Sequence, residues 1–301
     1  MRLILITLRN DAEMERIKSW SGKIGIVLGW GVFLSLLMTA FFAVGGRLTG
    51  IMKEKPDIKI RFLQTENDAD CIIISEGERG IMIDTGEKID AKMILHGLEQ
   101  AGITTLDYLI LSHPDSDHIG GALEIANNIS ISKVIEPNFD GKKEELQEFN
   151  TYCKENGIPI FYPTHIWRIK TDYIHLIIYP SLEKHYKDSN NYSLGILAKH
   201  GKNRMFFAGD AKRKRLEELL AMNLPEVGIY KVPHHGRANS ATSKMFEKLK
   251  PTYAVVTSDT ADQEVWDSCE AWESDLLFTG EKMLIFTSDG QRLSIEEGSY
   301  D

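Results

Sequence analysis

The sequence has few cysteines and no excess of positive charge. Its three cysteines, Cys71, Cys153 and Cys269, lie far apart and form no C-x-x-C pair, which excludes a disulfide framework and a zinc ribbon. The formal net charge of −9 gives the surface as a whole no charge-based affinity for nucleic acid or membrane headgroups. Internal repeats and low-complexity tracts are also missing. What is present, 43% hydrophobic and 26% charged residues, is typical of a globular protein with a sizeable core.

One long hydrophobic run interrupts this globular pattern. Residues 24–46 contain no charged side chain and lie between Lys23 and Arg47. A helix of that length spans a bilayer core of about 30 Å. We therefore predict a flank over residues 1–23, a transmembrane helix or signal anchor over residues 24–46, and a linker over residues 47–57. The short flank favours a single-pass protein of the cell membrane with its remaining residues outside the cytoplasm, and a cleaved signal peptide with secretion is the alternative.

Beyond residue 57, short apolar segments bounded by turn residues alternate with segments of helical period. The segments IKIRFL, DCIIIS and GIMIDTG predict strands, and ISKVIEP is predicted as one further strand. The segments DAKMILHGLEQAG and KRKRLEELLAMNL place apolar residues at helical spacing and predict helices. Because strands come first and then alternate with helices, we predict an α/β sandwich of one domain over residues 58–297.

The segment HPDSDH, residues 113–118, places four residues of metal-ligand type within six positions. It follows an apolar strand, and α/β folds usually hold their chemistry in loops at strand ends. His113, Asp115, Asp117 and His118 offer the imidazole nitrogens and carboxylate oxygens that bind a catalytic divalent metal. The other interpretation is a polar loop whose side chains cap the following helix.

Two later strand ends add residues of the same types. The apolar segment MFFAG is followed by Asp210, and IYKVP is followed by His234 and His235. Each signal alone is weak, since an aspartate after a strand is often only a helix cap. Three strand-end loops with metal-ligand residues together predict one metal site.

The ordered motifs HPDSDH, MIDTG, FFAGD and VPHHG resemble those of the metallo-β-lactamase superfamily. Together with NNYSLGI and FTSDG, they are similar to the metallo-β-lactamase-like domain of the bacterial competence DNA-uptake channel proteins, from Ile58 to Glu297. The resemblance implies a four-layer αββα sandwich and a hydrolase with one or two divalent ions, zinc or manganese. Asp115 stands where the superfamily motif has its second histidine, and this carboxylate shifts the preference from zinc toward manganese or magnesium.

The resemblance also implies a role for each candidate residue. Asp84 of MIDTG would not bind the metal itself but would support the residues that do. Where the lactamases have a further histidine ligand, this chain has amides and a hydroxyl, which we expect to face the substrate. The implied ligands of the first ion are His113, Asp115 and Asp210, and those of the second are Asp117, His118, the bridging Asp210 and either His234 or His235. The residues expected to bind substrate are Asn191, Ser193, Lys212, Arg213 and Arg237.

The segment from Lys199 to Arg215 contains seven lysines or arginines and a single acidic residue. A basic rim on an acidic protein favours a polyanionic substrate, and the alternative is a solvated helix face balanced by Glu217 and Glu218. With the resemblance, this rim predicts a phosphodiesterase or nuclease that acts on DNA through a metal-bound hydroxide, which Asp117 orients. The expected partner is single-stranded DNA or another phosphodiester. The alternatives are a hydrolase of a small ester, lactone or β-lactam, and a non-catalytic membrane-tethered binding module.

Overall fold

Sixteen strands form two sheets in the part of the chain that the computed structural model describes, residues 56–172 and 174–300. The predicted flank, the predicted membrane segment and most of the linker lie outside these residues. No helix within the two described ranges is long and apolar enough to cross a membrane.

The first sheet takes strands from both ends of the described chain. They lie in the order β16-β15-β1-β2-β3-β4-β6-β7, with β5 also paired to β4. The pairs from β3 to β7 are parallel, and those from β16 to β3 are antiparallel. The strand bounds are β1 (Ile58–Phe62), β2 (Ile72–Glu76), β3 (Arg79–Ile83), β4 (Thr105–Ile110), β5 (Ser130–Ile131), β6 (Val134–Ile135), β7 (Ile160–Phe161), β15 (Met283–Ser288) and β16 (Leu293–Gly298).

The second sheet comes from the middle of the chain. Its order is β14-β13-β12-β11-β10-β9-β8, with parallel pairs from β11 to β14 and antiparallel pairs from β8 to β11. The strand bounds are β8 (Trp167–Lys170), β9 (His175–Tyr179), β10 (Gly195–His200), β11 (Asn203–Phe207), β12 (Ile229–Lys231), β13 (Tyr253–Val256) and β14 (Asp275–Phe278).

Helices cover the outer face of each sheet. Those of the first sheet are α1 (Ala91–Gln100), α2 (Ser116–Ile119), α3 (Ala122–Asn128) and α4 (Glu144–Glu155), and those of the second are α5 (Arg213–Leu220), α6 (Thr242–Leu249) and α7 (Gln263–Ala271). The predicted mixed α/β fold is therefore confirmed, and its layers follow the order helix, sheet, sheet, helix.

Three apolar cores hold the four layers together. Along β2, Ile72 and Ile74 face the core between the sheets, whereas Ile73 faces the core under the helices of the first sheet. This alternation follows from the two-residue period of a strand, whose successive side chains point to opposite faces. On the other side, Phe206 packs under the helices of the second sheet while Phe207 enters the inner core. Both faces of each sheet are thus buried, which explains the long apolar runs of its strands.

Three local predictions differ from the structure. The segment ISKVIEP contributes to two short strands, β5 and β6, which pair with β4 in the same register on either side of Ser132 and Lys133. Strand β8 was not predicted, because its alternating pattern extends over only four residues at a sheet edge. Helix α7 was also not predicted, because it buries only Val265, Ser268 and Cys269 and has a weak apolar period.

Candidate metal centre

The carboxyl ends of the parallel strands in both sheets meet at one edge of the sandwich. Strand β3 leads directly to Asp84 and β4 leads to Ser112, while β11 leads to Asp210 and β12 to His235. The backbone N–H of Leu194 donates to the Ser112 carbonyl at 2.9 Å, which joins the two sheets at this edge. The sequence motifs, far apart along the chain, therefore come together where α/β folds usually hold a ligand.

Two carboxylates and two imidazoles form the centre of this edge. Asp117, His118, Asp210 and His235, the four-residue cluster, each offer one ligand atom within 4.8 Å of all the others. His118 Nε2 lies 3.3 Å from Asp210 Oδ1, and His235 Nε2 lies 3.0 Å from Asp210 Oδ2. The second carboxylate, Asp117 Oδ2, lies 3.2 Å from His235 Nε2 and 3.7 Å from His118 Nε2. Among the candidates of the HPDSDH segment, the structure thus brings Asp117 and His118 to Asp210.

The short helix α2 aims Asp117 and His118 at this centre. Asp115 is its N-cap residue, and the backbone carbonyl of Asp115 accepts the backbone N–H of His118 at 2.9 Å. The chain then runs against the segment after β3, where a Cβ added to Gly121 would lie 2.3 Å from the Thr85 carbonyl oxygen. Only glycine permits that approach, so the glycine pair after HPDSDH seats the helix against the β3 loop.

Asp84 lies behind His118 and fixes its orientation. Its Oδ2 atom accepts a hydrogen bond from His118 Nδ1 at 2.8 Å and another from the Ser112 hydroxyl at 2.7 Å. Its Oδ1 atom accepts the Ser112 backbone N–H at 2.6 Å. With Nδ1 donating to a carboxylate, Nε2 of a neutral His118 carries the lone pair that faces Asp210. A carboxylate behind an imidazole is the usual support of a metal-binding histidine.

A second buried carboxylate, which the sequence did not reveal, supports the other half of the cluster. Asp70 is fully buried, and its Oδ2 atom lies 2.5 Å from Lys231 Nζ. Its Oδ1 atom lies 3.4 Å from His235 Nδ1. Lys231 Nζ also donates to the Gly209 carbonyl at 3.1 Å and lies 3.4 Å from Asp210 Oδ1. This ion pair therefore braces both Asp210 and His235 from behind.

The carboxylates of this region shift the pKa values of the groups around them. Burial disfavours an ionised imidazole, yet Asp210 and the hydrogen bonds to neighbouring carboxylates raise the pKa of His235 to about 11. Burial also opposes charge on Asp210, yet His118 and the other cationic groups hold the pKa of Asp210 well below its usual range. The cluster consequently keeps its carboxylates ionised and attracts positive charge.

The donor set fits a divalent metal ion. Nε2 of His118 is buried and makes no hydrogen bond within the described part of the chain, although the Asp210 carboxylate lies near it. Four buried or half-buried carboxylates, those of Asp70, Asp84, Asp117 and Asp210, lie in or beside the cluster, and they outnumber the cationic groups of Lys231, His118 and His235. A mixture of imidazole and carboxylate donors with surplus negative charge suits zinc or manganese. The four-residue cluster would hold such an ion.

His113 and Asp115 form a separate pair beside the cluster. The His113 ring lies with its centroid 4.0 Å from that of His118, and His113 Nε2 lies 3.5 Å from Asp115 Oδ2. The Asp115 carboxylate also accepts hydrogen bonds from Lys143 Nζ and Ser189 Oγ, each at 2.9 Å. Neither Lys143 nor Ser189 belongs to a motif, so sequence reasoning missed both.

The structure distinguishes the two histidines of the HHG motif. His235 belongs to the four-residue cluster, whereas the half-buried His234 lies outside it with its Nε2 atom 3.4 Å from a guanidinium nitrogen of Arg237. Burial lowers the pKa of His234, because Asp210 only partly offsets the lost solvation. Both histidines have positive φ, 53° for His234 and 52° for His235, which non-glycine residues seldom adopt. Such strained backbone is common at functional sites.

Asn191 and Ser193, expected to face a substrate, brace the fold instead. The Asn191 side-chain oxygen accepts the backbone N–H of Arg215, and the Ser193 hydroxyl accepts the backbone N–H of Asp210 at 3.1 Å. Arg215 is fully buried and donates to the carbonyls of Ser193 and Tyr179. These contacts fix the start of α5 and hold Asp210 in place.

The basic segment from Lys199 to Arg215 is not one surface. Its first part spans the end of β10, the turn and the start of β11, at Lys199, Lys202 and Arg204, whereas its second part begins α5 beyond the far end of β11. Lys212 pairs with Asp188 at 2.7 Å, and Arg213 pairs with Glu217 at 3.0 Å. The expectation of a continuous basic rim is therefore wrong, because nearness in sequence placed residues at opposite ends of a strand.

The sequence profile of the metallo-β-lactamase superfamily matches residues 65–257, more than half of the chain. The chain belongs to this superfamily. It is 28% identical over 209 residues to Recombination protein 2 of Haemophilus influenzae, a match that covers 68% of this chain and 24% of that protein. It is 25% identical over 226 residues to ComE operon protein 3 of Bacillus subtilis, covering 65% of this chain and 29% of that protein. The match to Competence protein ComA of Neisseria gonorrhoeae is similar, at 26% identity over 195 residues.

The chain spans less than a third of the length of these curated relatives. Solved structures agree on the fold. The metallo-β-lactamase fold protein YhfI of Bacillus subtilis matches with a TM-score of 0.54 and 9% identity, over 77% of this chain and all of that one. CmlA, a diiron β-hydroxylase of Streptomyces venezuelae, matches with a TM-score of 0.50 and 10% identity, over 74% of this chain and 53% of that one. The superfamily and the competence-protein relatives that the motifs suggested are thus confirmed.

Proposed function

We propose that this chain is a metal-dependent phosphodiesterase that cleaves DNA. The observation that carries the proposal is the four-residue cluster, in which two imidazoles and two carboxylates converge and are held from behind by Asp84 and Asp70. A divalent ion bound there supplies Lewis acidity, which lowers the pKa of a bound water and polarises a phosphoryl oxygen.

Asp117 is the proposed catalytic residue. Its side chain is 30% exposed, whereas the other three members of the cluster are at most 5% exposed. Burial alone would raise the pKa of Asp117, yet the hydrogen bond with His235 lowers it, so the carboxylate is ionised at neutral pH. An ionised carboxylate at the solvent side of the cluster is suited to orient the attacking water and accept its proton. Asp210 and His118 are proposed as ligands and not as proton carriers.

The choice of DNA as substrate rests on the relatives and on the charges around the cluster. One of the relatives is named for recombination, one for the ComE operon and one for competence. Lys143 and Lys212 come from different loops, and both ammonium groups are partly exposed. Arg237 is exposed beside His234. These cations would contact the phosphates of a single strand, for which Lys143 and Lys212 must first leave their carboxylate partners. We propose manganese or zinc as the metal, because carboxylates and imidazoles are mixed in the site.

The test is hydrolysis of single-stranded DNA and of bis-p-nitrophenyl phosphate by the full chain, with manganese and with zinc. We expect Asp117→Asn to keep the fold and, at saturating metal, to slow turnover by about 10²–10⁴-fold, since it removes the proton acceptor while keeping its shape. We expect Asp210→Ala to lose both metal and turnover. Asp267→Asn, an exposed change on α7, is the matched control and should behave as wild type. Turnover that survives unchanged in Asp117→Asn and in a chelator would contradict the proposal.

The same metal-loaded chain, assayed also with a lactone, a thioester and a cephalosporin, distinguishes the two alternative functions from the proposed one. A chain that binds metal and cleaves only a lactone, a thioester or a cephalosporin is a hydrolase of small molecules. A chain that binds metal and cleaves none of these substrates is a binding module.

We also propose that residues 24–46 anchor the chain in the cell membrane, with the superfamily domain outside the cytoplasm. The support is the length of the uncharged run, which matches a bilayer core. Protease added to spheroplasts should digest the domain, and full protection of the domain would reverse the proposed orientation. Recovery of the domain in the soluble fraction without residues 1–45 would indicate a cleaved signal instead.

A further inference from the structure

Asp115 is already engaged by side chains of the protein. Its Oδ1 atom lies 2.9 Å from Lys143 Nζ, and its Oδ2 atom accepts the Ser189 hydroxyl at 2.9 Å. The side chains of Lys143 and Asp115 are 38% and 22% exposed, so the pair is partly shielded from water. An ammonium at this distance cancels much of the carboxylate charge that a second metal ion would need.

The fold holds Lys143 in this place. Lys143 is the N-cap residue of α4, where a cation is disfavoured by the helix dipole. The loop before it is tied to the loop that carries Ser189, because Asp140 accepts hydrogen bonds from the Tyr192 hydroxyl and from His185 Nδ1. Lys143 and Ser189 therefore reach Asp115 from two loops that are fastened to each other.

His113 offers the only other ligand atom of this pair. Its Nδ1 atom lies 3.1 Å from the Ser112 hydroxyl, and that hydroxyl donates its hydrogen to Asp84. Nδ1 must then be the donor, which leaves the lone pair on Nε2. Nε2 is buried, has no hydrogen-bond partner among the described residues, and lies 3.5 Å from Asp115 Oδ2. Two acceptors that face each other in this way favour a cation between them.

We propose that Lys143 lowers the affinity of the His113–Asp115 pair for a divalent ion, so that the two ion sites implied by the family resemblance fill with unequal affinity. The tighter ion occupies the four-residue cluster, where carboxylates exceed the single ammonium of Lys231. The weaker ion occupies the His113–Asp115 pair, where Lys143 neutralises the carboxylate before the ion arrives. This inference rests on the metal centre of the proposed function and not on its substrate.

The test is manganese binding to the metal-stripped full chain, measured by equilibrium dialysis and elemental analysis without any DNA. The wild-type chain should fill in two steps. Lys143→Met keeps the length of the side chain but removes its charge, and it should lower the Kd of the second step by about tenfold while leaving the first unchanged. Lys142→Met, at the exposed neighbouring position, is the control and should change neither step. His113→Ala should remove the second step only.

Tighter binding in Lys143→Met cannot arise from misfolding, because a misfolded site would bind more weakly. An unchanged second step in Lys143→Met would overturn the proposal, as would two equal sites or a single ion in the wild-type chain. Loss of the first step in His113→Ala would also overturn it. Since no substrate is present, a chain that failed to cleave DNA would still give a decisive result here.

Discussion

Replacing Lys231 by methionine should strongly destabilise the folded chain. Lys231 Nζ lies 2.5 Å from Asp70 Oδ2, and both side chains are fully buried. At an effective dielectric constant of about 20, unit charges at this distance attract by about 7 kcal/mol. The net loss should be smaller, about 3–5 kcal/mol, which is typical of a buried ion pair that loses one partner. Part of the charge on Asp70 remains balanced, because His118 and His235 face it from 3.6 and 3.4 Å.

The assay is urea unfolding of the metal-stripped chain, followed by circular dichroism. Lys244→Met, on an exposed position of α6, is the control and should change the free energy of unfolding by less than about 0.5 kcal/mol. The double variant Asp70→Asn with Lys231→Met should recover part of the loss, because no unpaired charge stays buried. The reasoning is refuted if Lys231→Met unfolds like the control. It is also refuted if the double variant loses the sum of the two single losses.

Three further changes test other parts of the structure. Asp84→Asn should weaken manganese binding by about 10–100-fold in calorimetry without altering the circular dichroism spectrum, because His118 loses its carboxylate support. Burial raises the pKa of Glu136 from 4.5 to about 7, so the folded chain retains a proton that the unfolded chain releases. Stability should therefore fall as the pH rises from about 4.5 to 7, and Glu136→Gln should remove that slope in urea titrations. Arg215→Met should lower the free energy of unfolding by about 2–4 kcal/mol, seen in a thermal scan, because two buried carbonyls lose their donor.

The sequence could reveal those site residues whose metal-ligand type is recognisable within a few consecutive positions. The HPDSDH segment places its ligands on one loop and one helical turn, so its spacing alone brings Asp117 next to His118. Asp210 and the HHG motif follow apolar strands, and parallel strands of one sheet end at the same edge. The four-layer fold could also be predicted, because the family resemblance and the alternation of strands and helices both depend on local sequence patterns.

The supporting residues could not be predicted, because their partners are distant in sequence. Asp70 lies in a short polar segment before β2, and nothing there indicates that it becomes buried. Lys231 could have been recognised from the sequence, because a lysine inside the apolar strand β12 needs a buried partner. Lys143 and Ser189 gave no such signal, since each meets Asp115 only through the folding of two separate loops.

The basic segment shows the opposite error, in which residues that are close in sequence were expected to form one surface. Charge counted along the chain suggested one rim, but Arg215 turns inward as a structural residue and Lys214 pairs with Glu183 at 2.5 Å. The alternative interpretation, a helix face balanced by neighbouring acids, agrees better with these contacts. The contribution of this helix to binding a polyanion is consequently limited to Lys212 and Arg213, each of which must first leave a carboxylate partner.

The metal centre depends on the packing of the two sheets, because each sheet supplies part of it. His118 comes from the first sheet, while Asp210 and His235 come from the second. Between the sheets, residues such as Phe62 and Phe207, whose ring centroids are 6.0 Å apart, hold the layers together. The apolar core thus keeps carboxylates close to one another despite their repulsion, and a bound cation would relieve that repulsion. A change in the inner core acts on the centre by altering the spacing of the sheets, whereas a change of ligand alters its charge while the sheets stay in place.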